Sequence, residues 1–345
     1  MPIIRLFPML ALLAVCALPV AARTVTDSAG RVVEVPDEVT RVFAAGPPAS
    51  VLVYAVKPGA LLGWPRALRE YERPYIAAAQ RDLPETGRLT GRGGEANLEL
   101  VLALKPDLIV DFGSVRDTYA DLADRVQAQT GIPYILIDGR FVATAASLRL
   151  VGEVLGVPER GEALARDVET TFAALDAALG SVPEDQRPRV YLARGPDGLE
   201  TGLKGSINSE IIERAGGRNV ADVPGQYGIV QASPEQVIVA DPDTIITWDV
   251  RFFDSVWGDP LWAGVSAVKA GRVFLSPTAP FGWIDRPPSV NRVIGLKWLA
   301  GLFYPDRWAG DLRSETAAFY RLWYHVDLGE AELDRLLVWA KGGHP

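Results

Sequence analysis

The sequence predicts an α/β fold of two lobes, each a mostly parallel sheet covered by helices, bridged by one long α-helix. Three observations predict it. A helix-turn-strand phrase is written twice, as "NLELVLALKPDLIVDF" from Asn97 and as "SPEQVIVADPDTIITW" from Ser233. Glu99 matches Glu235, Val101 matches Val237, Pro106-Asp107 matches Pro242-Asp243 and Ile109 matches Ile245, without a gap. The strand closing each copy is apolar on both faces, as a strand inside a helix-covered parallel sheet is. Between the copies Leu164, Val168, Phe172, Leu175 and Leu179 recur at steps of three and four, with Pro158 before and Gly180 after. That is one amphipathic helix of about 20 residues, about 30 Å long, enough to brace two lobes.

In chain order, residues 1–22 read as a cleavable export signal. Arg5 supplies a basic start, Met9 to Leu18 is an apolar run too short to span a bilayer, and small residues precede Arg23. Cys16, the only cysteine, lies in this segment, and Val15 before it fits a lipidation site poorly. Cleavage leaves no thiol, which suits an oxidising compartment and removes disulfides and thiolate chemistry together. The first lobe is expected over 23–157, with strands at Val42–Ala45, Leu108–Val110 and Tyr134–Ile137. The bridging helix follows over 158–182. The second lobe is expected over 183–345, with strands at Val190–Ala193, Thr244–Ile246 and Val273–Leu275. Ser233 is a good N-cap, Pro234 suits the first helical position and Gln236 completes a capping box. Asn97 takes the capping place in the first copy, and each short helix stops against Pro106 or Pro242.

The 345 residues are 48% hydrophobic and 23% charged, which gives two lobes enough apolar material for proper cores. The formal charge is −8, or −9 after loss of Arg5, and disfavours a general polyanion binder, because phosphate neutralisation needs a basic face.

The export signal, "LALKPDLIV", the long central helix, "SPEQVIVADPDTII" and the late "SAVKAGRVF" together resemble the periplasmic substrate-binding proteins of iron-siderophore, haem and cobalamin ABC importers. The resemblance covers essentially the whole mature chain. It implies a monomer of two lobes on a rigid helix, with the ligand in the cleft between them, delivered to a dimeric inner-membrane permease. It also implies that a glutamate on each lobe docks into arginines of the permease, here Glu99 and Glu235. Either glutamate alone needs no partner, since a carboxylate in a first helical turn favours the helix dipole by about 0.3–1 kcal/mol. One carboxylate per lobe, however, suits a twofold partner.

In open α/β lobes ligands sit outside the carboxyl ends of strands, so the loops there supply the candidate ligand contacts. The first lobe offers Trp64, Arg66, Arg69, Tyr71, Tyr75 and Arg140. The second offers Arg194, Trp248, Arg251, Trp283 and Arg286, with Asp285 placed to hold Arg286. Arginine forks suit an anion or a carboxylate-rich chelate, and Trp and Tyr give rigid, partly polar walls. Each arginine taken singly also reads as a solvated or salt-bridged loop residue. Tyr71 and Tyr75 read as core or lid residues or, ionised, as ligands to ferric iron or haem.

Only two histidines occur, His325 and His344, both near the C-terminus, so a cleft cluster for bare zinc or manganese cannot be assembled. No metal site and no resident cofactor are expected; a metal arrives already chelated. His325 reads as a packed or capping side chain. No nucleophile elbow, Walker loop, His-Glu-x-x-His or Ser-x-x-Lys motif occurs, and glycine-rich Gly91–Asn97 lacks the lysine of a phosphate loop. The expected function is therefore non-enzymatic: a periplasmic receptor for an anionic ferric siderophore. The alternatives on the same scaffold are an oxyanion such as molybdate, haem or cobalamin. The alternative classes are an exported sensor or adaptor, and an enzyme.

Overall fold

The computed structural model describes residues 22–91, 97–338 and 340. The expected signal segment up to residue 21, with Cys16, and His344 lie outside the described residues, as does most of the glycine-rich segment.

The chain opens with an antiparallel ribbon, β1 (Ala22–Thr26) and β2 (Val32–Pro36). The first lobe follows: β3 (Val42–Ala44), α1 (Pro47–Val56), α2 (Leu98–Leu104), β4 (Leu108–Gly113), α3 (Asp117–Thr130), β5 (Tyr134–Asp138) and α4 (Thr144–Val154). Its sheet is parallel in the order β3-β4-β5. Then comes α5 (Pro158–Leu179), 22 residues, about 33 Å at 1.5 Å per residue.

The second lobe contains β6 (Arg189–Ala193), β7 (Glu200–Gly202), α6 (Glu210–Arg214), β8 (Arg218–Asn219), β9 (Ile229–Gln231), α7 (Pro234–Ala240), β10 (Thr244–Thr247), α8 (Val250–Ser255), α9 (Ser266–Lys269) and β11 (Val273–Leu275). Its sheet is parallel in the order β11-β10-β6-β8, with β7 and β9 forming an antiparallel ribbon beside it. All six strands expected from apolar runs are present.

The C-terminal part departs from the expected border at 183. After α10 (Arg292–Phe303), the helices α11 (Leu312–Tyr324) and α12 (Glu330–Leu337) return to first-lobe residues. Tyr54 of α1 donates to Tyr324 O, and Tyr75 donates to Glu332 O at 3.0 Å. His325 caps α11 in the left-handed region, with Nε2 3.2 Å from Tyr54 O. One continuous core runs from α1 through α4 and α5 to α10 and α11, while each sheet's outer face has a smaller core of its own. The long helix is thus part of a shared helical layer on which both sheets rest.

The duplicated phrase folds as two matching modules. Asn97 and Ser233 cap α2 and α7, and Ser233 with Gln236 forms the full capping box. Both helices end in a left-handed residue, Lys105 (φ 46°) and Asp241 (φ 35°). The carboxylates of Asp107 and Asp243 then accept the backbone N–H of Arg41 and Arg189, the residues preceding or opening β3 and β6. Those arginines reach back to cap the helix ends: Arg41 donates to Leu104 O and Lys105 O, and Arg189 to Ala240 O and Asp241 O. Each clamp satisfies helix C-terminal carbonyls that otherwise lack donors.

One buried carboxylate sets a pH signature. Asp111 of β4 accepts bonds from Thr90 and Tyr134, each at 3.1 Å, and from Phe112 N at 2.9 Å. Burial nonetheless pushes its pKa up from 3.8 to about 6. The folded state therefore binds this proton more tightly than the unfolded chain, so its contribution to stability falls as pH rises from about 4 to 6. The full penalty at neutral pH is about 3 kcal/mol. Urea unfolding at pH 4 and pH 7 should show Asp111→Asn gaining stability relative to the native chain by about that amount over the interval. An equal pH dependence in both proteins would contradict the assignment.

Candidate functional site: the interlobe cleft

A cavity of about 1290 Å³ opens between the lobes. Its walls come from the start of α1 and residues 64–88 on one side, the segments after β10 and β11 on the other, and Arg335 and Leu336 of α12 at the rear. The cleft thus occupies the β3 edge of the first sheet and the β11-β10 edge of the second, outside the carboxyl ends of those strands.

The floor is aromatic. Trp64 packs on Tyr54 and Phe281, with ring centroids 5.4 and 5.8 Å away, and its Nε1 donates to Gln80 O at 2.9 Å. Tyr75 is buried at the wall, and burial pushes its phenol pKa up. With its hydroxyl already donated to Glu332 O, it is poorly set up as a tyrosinate ligand. Tyr71 is half exposed, and its hydroxyl receives Arg69 Nη1 at 3.1 Å.

The cations of the wall differ in how they are held. Arg66 is forked onto buried Glu72, whose Oε2 lies 2.8 Å from Arg66 Nη1. Arg251 pairs with Asp249, the residue capping α8, at 2.7 Å. Arg286 has neither: among the described residues its guanidinium has no hydrogen bond or ion pair. It lies 4.4 Å over the Trp248 ring, close enough for a cation–π contact. Burial first, then the Arg69 guanidinium, pushes its pKa below the ordinary value against the opposing pull of Tyr71 and Asp249. A half-buried cation facing like charges is stabilised by any anion that enters.

The loop carrying Arg286 is fixed from beneath. Asp285, 1% exposed, accepts Arg286 N at 2.8 Å and Asn208 Nδ2 at 3.0 Å, and pairs with Arg194. Gly295 of α10 lets the loop descend, since a Cβ there would lie 1.9 Å from Trp283 O. Asn291 Nδ2 holds Pro287 O at 2.9 Å.

Of the expected contacts, the structure brings Trp64, Arg66, Tyr71, Tyr75, Trp248, Arg251 and Arg286 to one cavity. Three expectations are corrected. Trp283 is fully buried, with Nε1 3.3 Å from Tyr320 OH, and belongs to the core beneath the loop. Arg194 is buried and engaged by Glu200 and Asp285, so it supports the loop and does not line the cavity. Arg140 follows β5, at the far edge of the first sheet, and is forked onto Asp138. Arg88 and Arg335 also line the cavity and were not anticipated. Arg335 sits on a helix far along the chain, where no strand-end rule points. Among the described residues no three His, Cys, Asp or Glu side chains gather as a metal site.

Glu99 and Glu235 stand exposed in the first turns of α2 and α7, outside the cavity. The backbone N–H of Glu235 and the Ser233 hydroxyl hold its carboxyl below the usual range, so it is ionised.

Comparison with known proteins agrees with this architecture. A solved ABC transporter solute-binding protein from Sulfurospirillum deleyianum is 30% identical, with a TM-score of 0.82 over 92% of this chain and 99% of that one. The molybdate-binding protein MolA of Haemophilus influenzae is 28% identical over 337 residues, 89% of this chain and 92% of its own. The structure of MolA bound to molybdate superposes with a TM-score of 0.73, covering 89% of this chain and 99% of MolA at 25% identity. The vitamin B12-binding protein of Salmonella typhimurium is 31% identical over 171 residues, 48% of this chain and 61% of its own. A family model described as periplasmic binding protein matches residues 72–280, more than half of the sequence: the chain belongs to the periplasmic binding protein family.

Proposed function

We propose that this protein is the periplasmic receptor of an ABC importer and that its cleft captures an anionic metal chelate, an anionic ferric siderophore being the leading class. The observation that carries the anion is Arg286, a half-buried guanidinium without a carboxylate partner, stacked on Trp248 and repelled by Arg69. The size of the ligand follows from the cavity. About 1290 Å³ exceeds the 300–1,000 Å³ typical of small-molecule pockets, and the aromatic floor offers apolar area that a bare ion would not use. In this reading the chain binds its ligand without converting it, and any metal enters as part of the cargo. Family membership supports export to the periplasm and delivery to a permease.

A second reading is an oxyanion of molybdate type, favoured by the similarity to MolA along nearly the whole of both chains. The test is native mass spectrometry with visible absorption on protein taken from its own periplasm, followed by calorimetric titration with ferric citrate and with molybdate. A coloured, iron-containing adduct and saturable ferric citrate binding support the chelate. Molybdate binding without ferric citrate binding transfers the assignment to the oxyanion. Binding of neither probe, with cobalamin or haem recovered instead, overturns the anionic reading.

A further inference from the structure

The two modules that present Glu99 and Glu235 match in their caps, their left-handed ends and their arginine clamps. They also match in a feature that helix stability does not need. One turn after each glutamate stands an exposed aliphatic side chain, Leu102 at 46% and Ile238 at 50% exposure. The residues between them, Val101 and Val237, are buried and fix the rotation of each helix identically. A spacing of three places the acid and the aliphatic group on one face. Val239, four residues after Glu235 and 84% exposed, widens the stripe on the second lobe.

We infer that Leu102 and Ile238 are contact residues of a docking face, each filling an apolar recess beside a cation on one half of a twofold membrane permease. The inference rests on the receptor reading above. Two outward acid-plus-aliphatic stripes on duplicated modules fit a partner whose own surface is duplicated, and charge complementarity asks for a cation beside each recess. The acids steer and orient the encounter. The aliphatic groups, buried on docking, slow the release, because interface affinity is carried chiefly by desolvated anchors.

The test uses the mature protein and its own permease in nanodiscs, with docking measured between low and high salt. Leu102→Gln and Ile238→Gln keep helix propensity and neutrality; unchanged circular dichroism and cleft affinity confirm their folding. Each is expected to weaken docking about tenfold and the pair about 100-fold, with the salt dependence unchanged. Glu99→Ala/Glu235→Ala is expected to weaken docking and to flatten the salt dependence. If the glutamate variants behave so while the Gln variants dock like the native chain, the aliphatic inference falls and the docking reading stands. If no variant alters docking, both fall. Weakening by the Gln variants alone upholds the aliphatic contacts and removes the glutamates from the interface.

Discussion

Arg286→Asn is expected to weaken binding of the cleft ligand about 100-fold, with no loss of stability in the empty protein. Asparagine tolerates the left-handed conformation that residue 286 adopts (φ 67°), so the substitution removes charge and reach without new backbone strain. A hundredfold is about 2.7 kcal/mol, the range for a charge-assisted pair out of bulk water. Two of the neighbouring arginines are poor substitutes for it. Arg66 and Arg251 are already neutralised by Glu72 and Asp249, whereas among the described residues the Arg286 guanidinium has no carboxylate within ion-pair distance and feels Asp249 only from farther off. For the same reason the empty variant should unfold at the same temperature or slightly higher, because burial and Arg69 disfavour the charge it loses. Titration of both proteins with whichever of ferric citrate or molybdate the native chain binds, followed by tryptophan fluorescence, checks the first expectation. Calorimetric melting checks the second. Native affinity in the variant would remove Arg286 from the ligand shell.

How much of this was legible beforehand depended on whether the signal was local. Six parallel strands could be read because Val42–Ala44, Leu108–Val110 and their counterparts are apolar on both faces, a pattern that buried central strands must have. The short ribbons escaped, since Glu200–Gly202 and Ile229–Gln231 are three residues each and alternate with nothing to mark them. The duplicated glutamates were visible as letters. The arginine clamps on the same modules were not, because Arg41 reaches carbonyls more than 60 positions away.

The site was half legible for a related reason. The cavity does open at strand ends, but which edge of each sheet faces it is set by strand order and lobe packing. Arg140 follows β5, at the far edge of its sheet, whereas Arg194 follows β6 beside β10 but turns inward onto Glu200 and Asp285. Trp283 stood in a loop that does shape the cleft, yet its ring turns inward to Tyr320. Asp285 was foreseen as the support of Arg286, and it is one, through the backbone N–H and through Arg194.

Arg292→Ala should cost about 3–5 kcal/mol of folding stability, the largest single effect expected outside the cleft. The residue is 1% exposed at the first turn of α10 and joins the lobes directly. Its Nη2 donates to Gly139 O of the first lobe at 2.7 Å. Its Nη1 donates to Ile207 O at 2.7 Å and Glu210 at 2.8 Å in the second, and the guanidinium lies 4.2 Å over Phe141. Glu210 also accepts Phe141 N at 3.1 Å, so the carboxylate itself spans the joint. Alanine strands Glu210 and two carbonyls without their donor, and leaves a cavity besides. The double variant Arg292→Met/Glu210→Met removes both charges and fills the space, so it should recover much of the loss, because a packed apolar pair replaces an ion pair at little cost. Equilibrium urea unfolding of the three proteins decides the matter. A loss under 1 kcal/mol in Arg292→Ala would mean the joint is held by helix packing alone. Since Arg292 follows the Arg286 loop within six residues and donates to Ser289 O inside it, the alanine variant should also bind its ligand less tightly. That second loss should persist at temperatures where the variant is still fully folded, which separates a displaced loop from an unfolded one.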